Sequence, residues 1–170
     1  VLHSRFLSLG PYLTKFENKI TQLIGTKYGV AVNSGTSALH ILVKYLGIKK
    51  GDEVITTPFS FIASANVILF EKAKPVFVDI EPDTLNINPD LISEKITKRT
   101  KALLMVDIFG HPVDWDKIAS ISRIHKLPVI EDACEAIGSE YKGKKCGTFG
   151  IASALAFYPN KQITTGEGGV

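Results

Sequence analysis

Apolar positions along the chain follow two rhythms, one helical and one extended, that alternate from end to end. Leu13, Phe16, Ile20 and Leu23 fall at i, i+3, i+7 and i+10, with Pro11 suited to a first helical turn and Gly25 placed to end it. Residues 28–33 form a short apolar run that reads as a buried strand, and Ser34-Gly35-Thr36-Ser37 follows directly. A helix then begins whose buried stripe is Leu39, Leu42, Val43 and Leu46, with Gly47 at the C-terminal cap position. The β-rich run 53–57 ends at Pro58, and 59–66 leads into the next helix, with Phe59 read as plain core. Residues 75–79 and 102–107 read as two buried strands separated by a helix over about 90–96 that starts at Pro89. Trp115, Ile118, Ile121 and Ile124 give the helix 115–125 a packing face; 127–132 and 153–158 are the last two strands. This alternation predicts an α/β fold, a three-layer, mostly parallel sheet with helices on both faces, in which ligands gather beyond the carboxyl ends of the strands.

Several chemically distinct groups fall at such ends. Lys161 lies between the last strand and a loop of Thr and Gly, a setting that suits an amine reaching a bound carbonyl; taken alone, a lysine is more often an exposed structural residue. Asp132 closes the strand 127–132, and Phe61 sits at a strand-to-helix junction. The 34–37 turn reads either as an anion site, where free N–H groups meet small hydroxyls, or as an ordinary N-cap. Its spacing matches neither a Walker A loop nor a dinucleotide fingerprint. Asp79 and Asp107 read as loop-capping carboxylates, and His111 as a structural or solvated turn residue.

Composition narrows the classes without naming a partner. The 170 residues carry 20 basic and 17 acidic side chains spread along the chain, with no basic block to suggest nucleic acid. No apolar run approaches a membrane span, no signal-peptide pattern is present, and a cytoplasmic location is the default expectation. Cys134 and Cys146 read as reduced thiols, and no metal-ligand spacing is found. The chain begins at Val1, has its single methionine at 105, and ends just after Gly168-Gly169, so residues 1–170 read as a partial domain with both ends continuing.

Taken in order, Asn33-Ser34-Gly35-Thr36-Ser37-Ala38-Leu39, Pro58-Phe59-Ser60-Phe61 with Asn66, Glu131-Asp132-Ala133, and Asn160-Lys161 followed by Thr164-Thr165-Gly166-Glu167-Gly168-Gly169 form a specific set. The chain resembles the DegT/DnrJ/EryC1/StrS sugar aminotransferases, within the aspartate-aminotransferase fold of pyridoxal-phosphate enzymes. The resemblance implies a large cofactor-binding domain without its small C-terminal domain. It also implies that Lys161 binds pyridoxal 5′-phosphate as a Schiff base and shuttles a proton, Asp132 pairs with the pyridine nitrogen, Phe61 lies against the ring, and Gly35, Thr36 and Ser37 cradle the phosphate. Two positions depart from the commoner pattern. Ala156 stands where many relatives carry a phosphate-binding serine, and Glu135, in the cofactor-binding set, stands where Gln or His is usual and resembles the perosamine-synthase branch. Relatives that dehydrate or deoxygenate sugars replace the lysine with histidine, so Lys161 favours transamination.

The resulting expectation is an aminotransferase that aminates a nucleotide-linked keto sugar, of the 4-keto kind by the Glu135 resemblance, with glutamate or glutamine as donor. It would act in polysaccharide or cell-surface sugar biosynthesis as a homodimer with its site at the interface, and the isolated piece would be inactive or poorly active. The alternatives are another pyridoxal-phosphate enzyme of the same fold, a non-catalytic cofactor-binding regulatory module, or an inactive fragment.

Overall fold

The computed structural model describes residues 9–170; the first eight residues of the unit assigned as 1–170 lie outside the described residues. In chain order the elements are α1 (Pro11–Ile24), α2 (Gly35–Tyr45), β1 (Glu53–Thr56), α3 (Ala63–Phe70), β2 (Lys74–Phe77), α4 (Ile92–Lys95), β3 (Thr100–Val106), α5 (Trp115–His125), β4 (Val129–Asp132), β5 (Glu140–Tyr141), β6 (Lys144–Lys145) and β7 (Ala152–Ala154). Local chemistry sets the helix ends. Ser34 caps α2 by accepting the Ser37 N–H at 3.1 Å, and Asp114 caps α5 by accepting that of Lys117, also at 3.1 Å.

Five strands make one sheet in the order β2-β1-β3-β4-β7, every neighbouring pair parallel; β5 and β6 form a separate antiparallel hairpin. Side chains alternate across the pleat. Val54, Leu104, Val106, Ile130 and Ala154 face α2 and α3, packing on Leu39, Val43, Val67 and Ile68. Ile55, Leu103, Met105 and Val129 face the opposite layer, where α5 supplies Trp115 and Ile118. The three-layer parallel architecture is therefore present, with a third cluster where Ile20 and Ile24 of α1 cover Leu155 and Phe157.

Several local expectations fail for identifiable reasons. Residues 28–33 are not a buried strand: Val32 bridges Gly169 alone, and Tyr28 and Val30 are 76% and 69% exposed. A β-rich sequence needs ladder partners on its edges, and this one has a single residue's worth. Ile124 is exposed because nine residues at about 100° each bring it to the side of the helix opposite Trp115. The same drift exposes Leu23 and buries Ile24 instead. Leu42 and Leu46 are only partly buried against the core, and in place of the buried strand expected over 75–79 stands the half-exposed edge strand β2, Lys74–Phe77. The helix expected over 90–96 is a 3₁₀ turn, Pro89–Leu91, followed by the single turn of α4. The last strand is short: Ala156 makes only an isolated bridge to Gly169, and Tyr158 is exposed. Phe59 is not core; it is 39% exposed and stands edge-on to Phe109 with ring centroids 6.0 Å apart.

Asp107 does more than cap a loop. It accepts the Val113 N–H at 3.0 Å but is fully buried, with its acidic oxygen, a Glu131 oxygen and the Cys146 sulfur within 4.8 Å of one another. Burial first, and the Glu131 charge second, push its carboxyl from 3.8 up to about 8, so the pair keeps a proton at neutral pH. Glu131 is itself raised by burial, although its oxygens accept the N–H groups of Gly147, Phe149 and Gly150 and so tie the glycine-rich turn to the end of β4.

A carboxyl raised on folding binds its proton more tightly in the native state than in the unfolded one. Its stabilisation is complete below the ordinary carboxylate range and is lost as pH rises toward about 8. Thermal melts of Asp107→Asn, whose amide still accepts from Val113, are expected to fall less steeply with pH than those of the parent between about pH 5 and pH 8. Parallel pH dependences would show that the pair is not protonated.

Candidate active site

The parallel sheet delivers the ends of β1, β3, β4 and β7 to one rim, and the start of α2 reaches that rim from the side. A cleft of about 380 Å³ opens there, lined by Gly35, Thr36, Phe61, Asp132, Glu135 and Lys161. Six of the seven residues singled out in the sequence thus share one cavity although they lie up to 126 positions apart. Ser37 is the exception. Its N–H and hydroxyl are both engaged with Ser34 Oγ, at 3.1 Å each, as the helix cap, and it does not line the cleft.

Asp132, 5% exposed, is the last residue of β4 and points toward α3. Ser64 Oγ donates to its Oδ2 at 2.8 Å and the Cys134 N–H donates to Oδ1 at 3.3 Å. Since the Ser64 proton is committed to Asp132, the 2.9 Å contact between Ser60 and Ser64 has Ser60 as donor. Burial raises the Asp132 carboxyl above the ordinary range, against the opposing pull of Ser64, Cys134 and the nearby Lys161 charge. Among the described residues Asp132 has no ion-pair partner, so the site holds a buried acid suited to receive a cation. The Ser60 and Ser64 relay was missed from the sequence. No helical spacing signals it, because Ser60 lies in the bend before α3 and meets Ser64 only through the way that bend folds.

Lys161 follows β7 on a loop of irregular backbone and is held by contacts of its own. Its Nζ donates to Glu135 Oε1 at 2.8 Å, and its side chain is 13% exposed. Phe61 stands at the mouth, 72% exposed. Cys134 also lines the cleft, but burial first and the Asp132 charge second push its thiol well up, so it is a protonated, unreactive neighbour.

At the other end, the first-turn N–H groups of α2 have no partners within the helix. A side chain at Gly35 would place Cβ 2.7 Å from Ala156 Cβ and 2.9 Å from Cys134 Sγ, so only glycine lets α2 seat this close to the exit of β7. Asp132, Lys161, Phe61 and the helix start together fit pyridoxal 5′-phosphate: an anion for a ring cation, an amine for an aldehyde, an aromatic face for a planar ring, and amides for a phosphate.

A model of the DegT/DnrJ/EryC1/StrS aminotransferase family matches residues 1–170. The chain belongs to that family. Members related to this chain are pyridoxal-phosphate-dependent aminotransferases. It is 46% identical over 163 residues to the GDP-perosamine synthase of Escherichia coli O157:H7, covering 96% of this chain and 45% of that protein. Among solved structures, the aminotransferase from Psychrobacter cryohalolentis matches with a TM-score of 0.92 and 39% identity, over 94% of this chain and 41% of that one. The putative sugar aminotransferase Spr1654 from Streptococcus pneumoniae, in its PLP-form, matches with a TM-score of 0.95 and 30% identity, over 99% and 47%. The chain therefore spans less than half the length of these relatives.

Gly35→Ala is expected to lower stability by about 1–3 kcal/mol, the usual cost of overpacking, as read by thermal or urea melts. Adding Ala156→Gly should recover part of that loss, because the two changes act on one contact. Additive losses would show that α2 is not seated by this approach.

Proposed function

We propose that this chain forms the cofactor-binding part of a pyridoxal-phosphate-dependent aminotransferase that aminates a nucleotide-linked keto sugar, with glutamate or glutamine as amino donor. One observation carries the reading: Lys161 and the buried Asp132, which has no ion-pair partner among the described residues, line a single cleft that the start of α2 closes at one end. The similarity to GDP-perosamine synthase, together with Glu135, supports a 4-keto sugar as the substrate class.

When bound, pyridoxal phosphate supplies an aldehyde for amine capture and a ring that takes up electrons from the substrate carbon. The chain's residues would do the rest. Asp132, held by Ser64 and the Cys134 amide, would keep its negative charge beside the ring nitrogen and so hold a proton there. The α2 amides and the Thr36 hydroxyl would donate to phosphate oxygens. With Ala156 in place of a serine, that end of the cleft has one hydroxyl fewer than the commoner family pattern. Phe61 would fix the ring plane, an offset contact worth about 0.5–1.5 kcal/mol beyond burial. Lys161, displaced by the amino donor, would carry a proton between its Nζ and the substrate carbon as base and then acid.

A homodimer with the site at its interface belongs to the same proposal. Phe61, Ile62 and Phe109, at 72%, 63% and 70% exposure, support it as apolar surface beside the cleft. A cytoplasmic setting is consistent with the free thiols Cys134 and Cys146.

Borohydride reduction of the chain with pyridoxal phosphate, followed by peptide mass spectrometry, is expected to label Lys161 and to leave Lys161→Ala unlabelled. Label on another lysine would overturn the site. Asp132→Asn is expected to keep the label in this chain and, placed in a full-length dimer, to lose amination by about 10²-fold or more, the scale for removing one preorganised charge partner. Glutamate bleaching of the bound-cofactor absorbance separates turnover from a binding module, and comparing nucleotide keto sugars with 2-oxo acids as acceptors tests the substrate class.

A further inference from the structure

Of the three acids lining the cleft, Asp132, Glu135 and Glu167, only Glu135 touches the lysine. Its Oε1 accepts from Lys161 Nζ at 2.8 Å, while its Oε2 accepts the Phe109 N–H at 3.0 Å. Its backbone carbonyl accepts from the Gln162 side chain, so the chain on either side of the Lys161–Gln162 bond is clasped to one residue. Phe109 is fixed in turn: it is a non-glycine residue at φ 51° inside the turn Ile108–Gly110, a conformation that persists only where surroundings hold it. Lys161 lies on irregular backbone, and among the described residues its only ion-pair partner is Glu135. Asp132, within reach of the Lys161 charge but not bonded to it, is left open.

From this division we infer that Glu135 is the counter-ion that positions Lys161, holding the ammonium at the cleft wall and keeping it off Asp132, which stays free for the cofactor. The inference rests on the cofactor-cleft reading above and adds a role to it. Oε2 holds the Phe109 N–H, so the carboxylate that meets the lysine through Oε1 is fixed from its other side. Glu167, on the same lining, has no ion pair with the lysine.

The test needs no cofactor. Acetic anhydride labels neutral amines, and peptide mass spectrometry reads each lysine separately, with Lys117, paired to Asp90 at 2.8 Å on the surface, as internal control. In Glu135→Gln, whose amide oxygen still accepts from Phe109, Lys161 acetylation at neutral pH is expected to rise several-fold over the parent. Its pH profile should move to lower pH while Lys117 stays unchanged. Glu135→Asp, which keeps a carboxylate, should hold the parent profile. Circular dichroism melts establish that the variants are folded, and Glu135→Ala serves as the second neutral variant should Gln disturb the turn. An unchanged Lys161 profile in a folded neutral variant overturns the proposal even where borohydride still labels Lys161. A changed profile with no borohydride label would retain the ion pair and sink the cofactor reading instead.

Discussion

Two consecutive acids are buried at the end of a central strand, and much of this molecule answers that constraint. The pleat sends Glu131 and Asp132 to opposite faces of the sheet, so each must be satisfied by a different layer. Glu131 meets three amides from the 146–150 turn and lies beside Asp107, whose carboxyl burial and the Glu131 charge push up to about 8, so it is satisfied within the fold. Asp132 meets one hydroxyl and one amide, neither charged, and stays short of a cation. The first acid is structural and the second is left for a ligand, and the difference lies in what surrounds them.

The same economy governs the lysine. A cleft with three acids and one amine could pair Lys161 with the deepest acid, Asp132, and neutralise the site. Glu135, three residues after Asp132 and nearer solvent, takes the amine instead. Glu135 also accepts from the strained Phe109 turn, which links the ends of β3, β4 and β7 through one side chain. Ser64, backed by Ser60, does for Asp132 what the Phe109 N–H does for Glu135: it fixes a carboxylate with a neutral donor, while Gln162 holds the Glu135 backbone carbonyl.

Close backbone approach completes the arrangement. Gly35 lets α2 rest on Ala156, and a Cβ at Gly169 would lie 2.5 Å from the Ser34 carbonyl, so the helix start, the β7 exit and the 168–169 segment meet with almost no side chain between them. That is why a helix N-terminus and a lysine from distant parts of the chain share one cavity.

The alternation of helical and extended patterns determined the fold class, and the motifs around Gly35, Phe61, Asp132 and Lys161 determined which residues were candidates, because periodicity and chemical type are properties of the chain alone. Tertiary structure decided what depends on partners distant in sequence. Residues 28–33 have strand-like composition but little ladder to join. Ile124 and Leu23 lie off the buried face through helical drift, and Phe59 stacks edge-on at the rim rather than in the core. Which of two neighbouring acids is spent on the fold, and which acid holds the lysine, are likewise outcomes of packing. Burial and hydrogen bonding act through space, and no local pattern of residues specifies them.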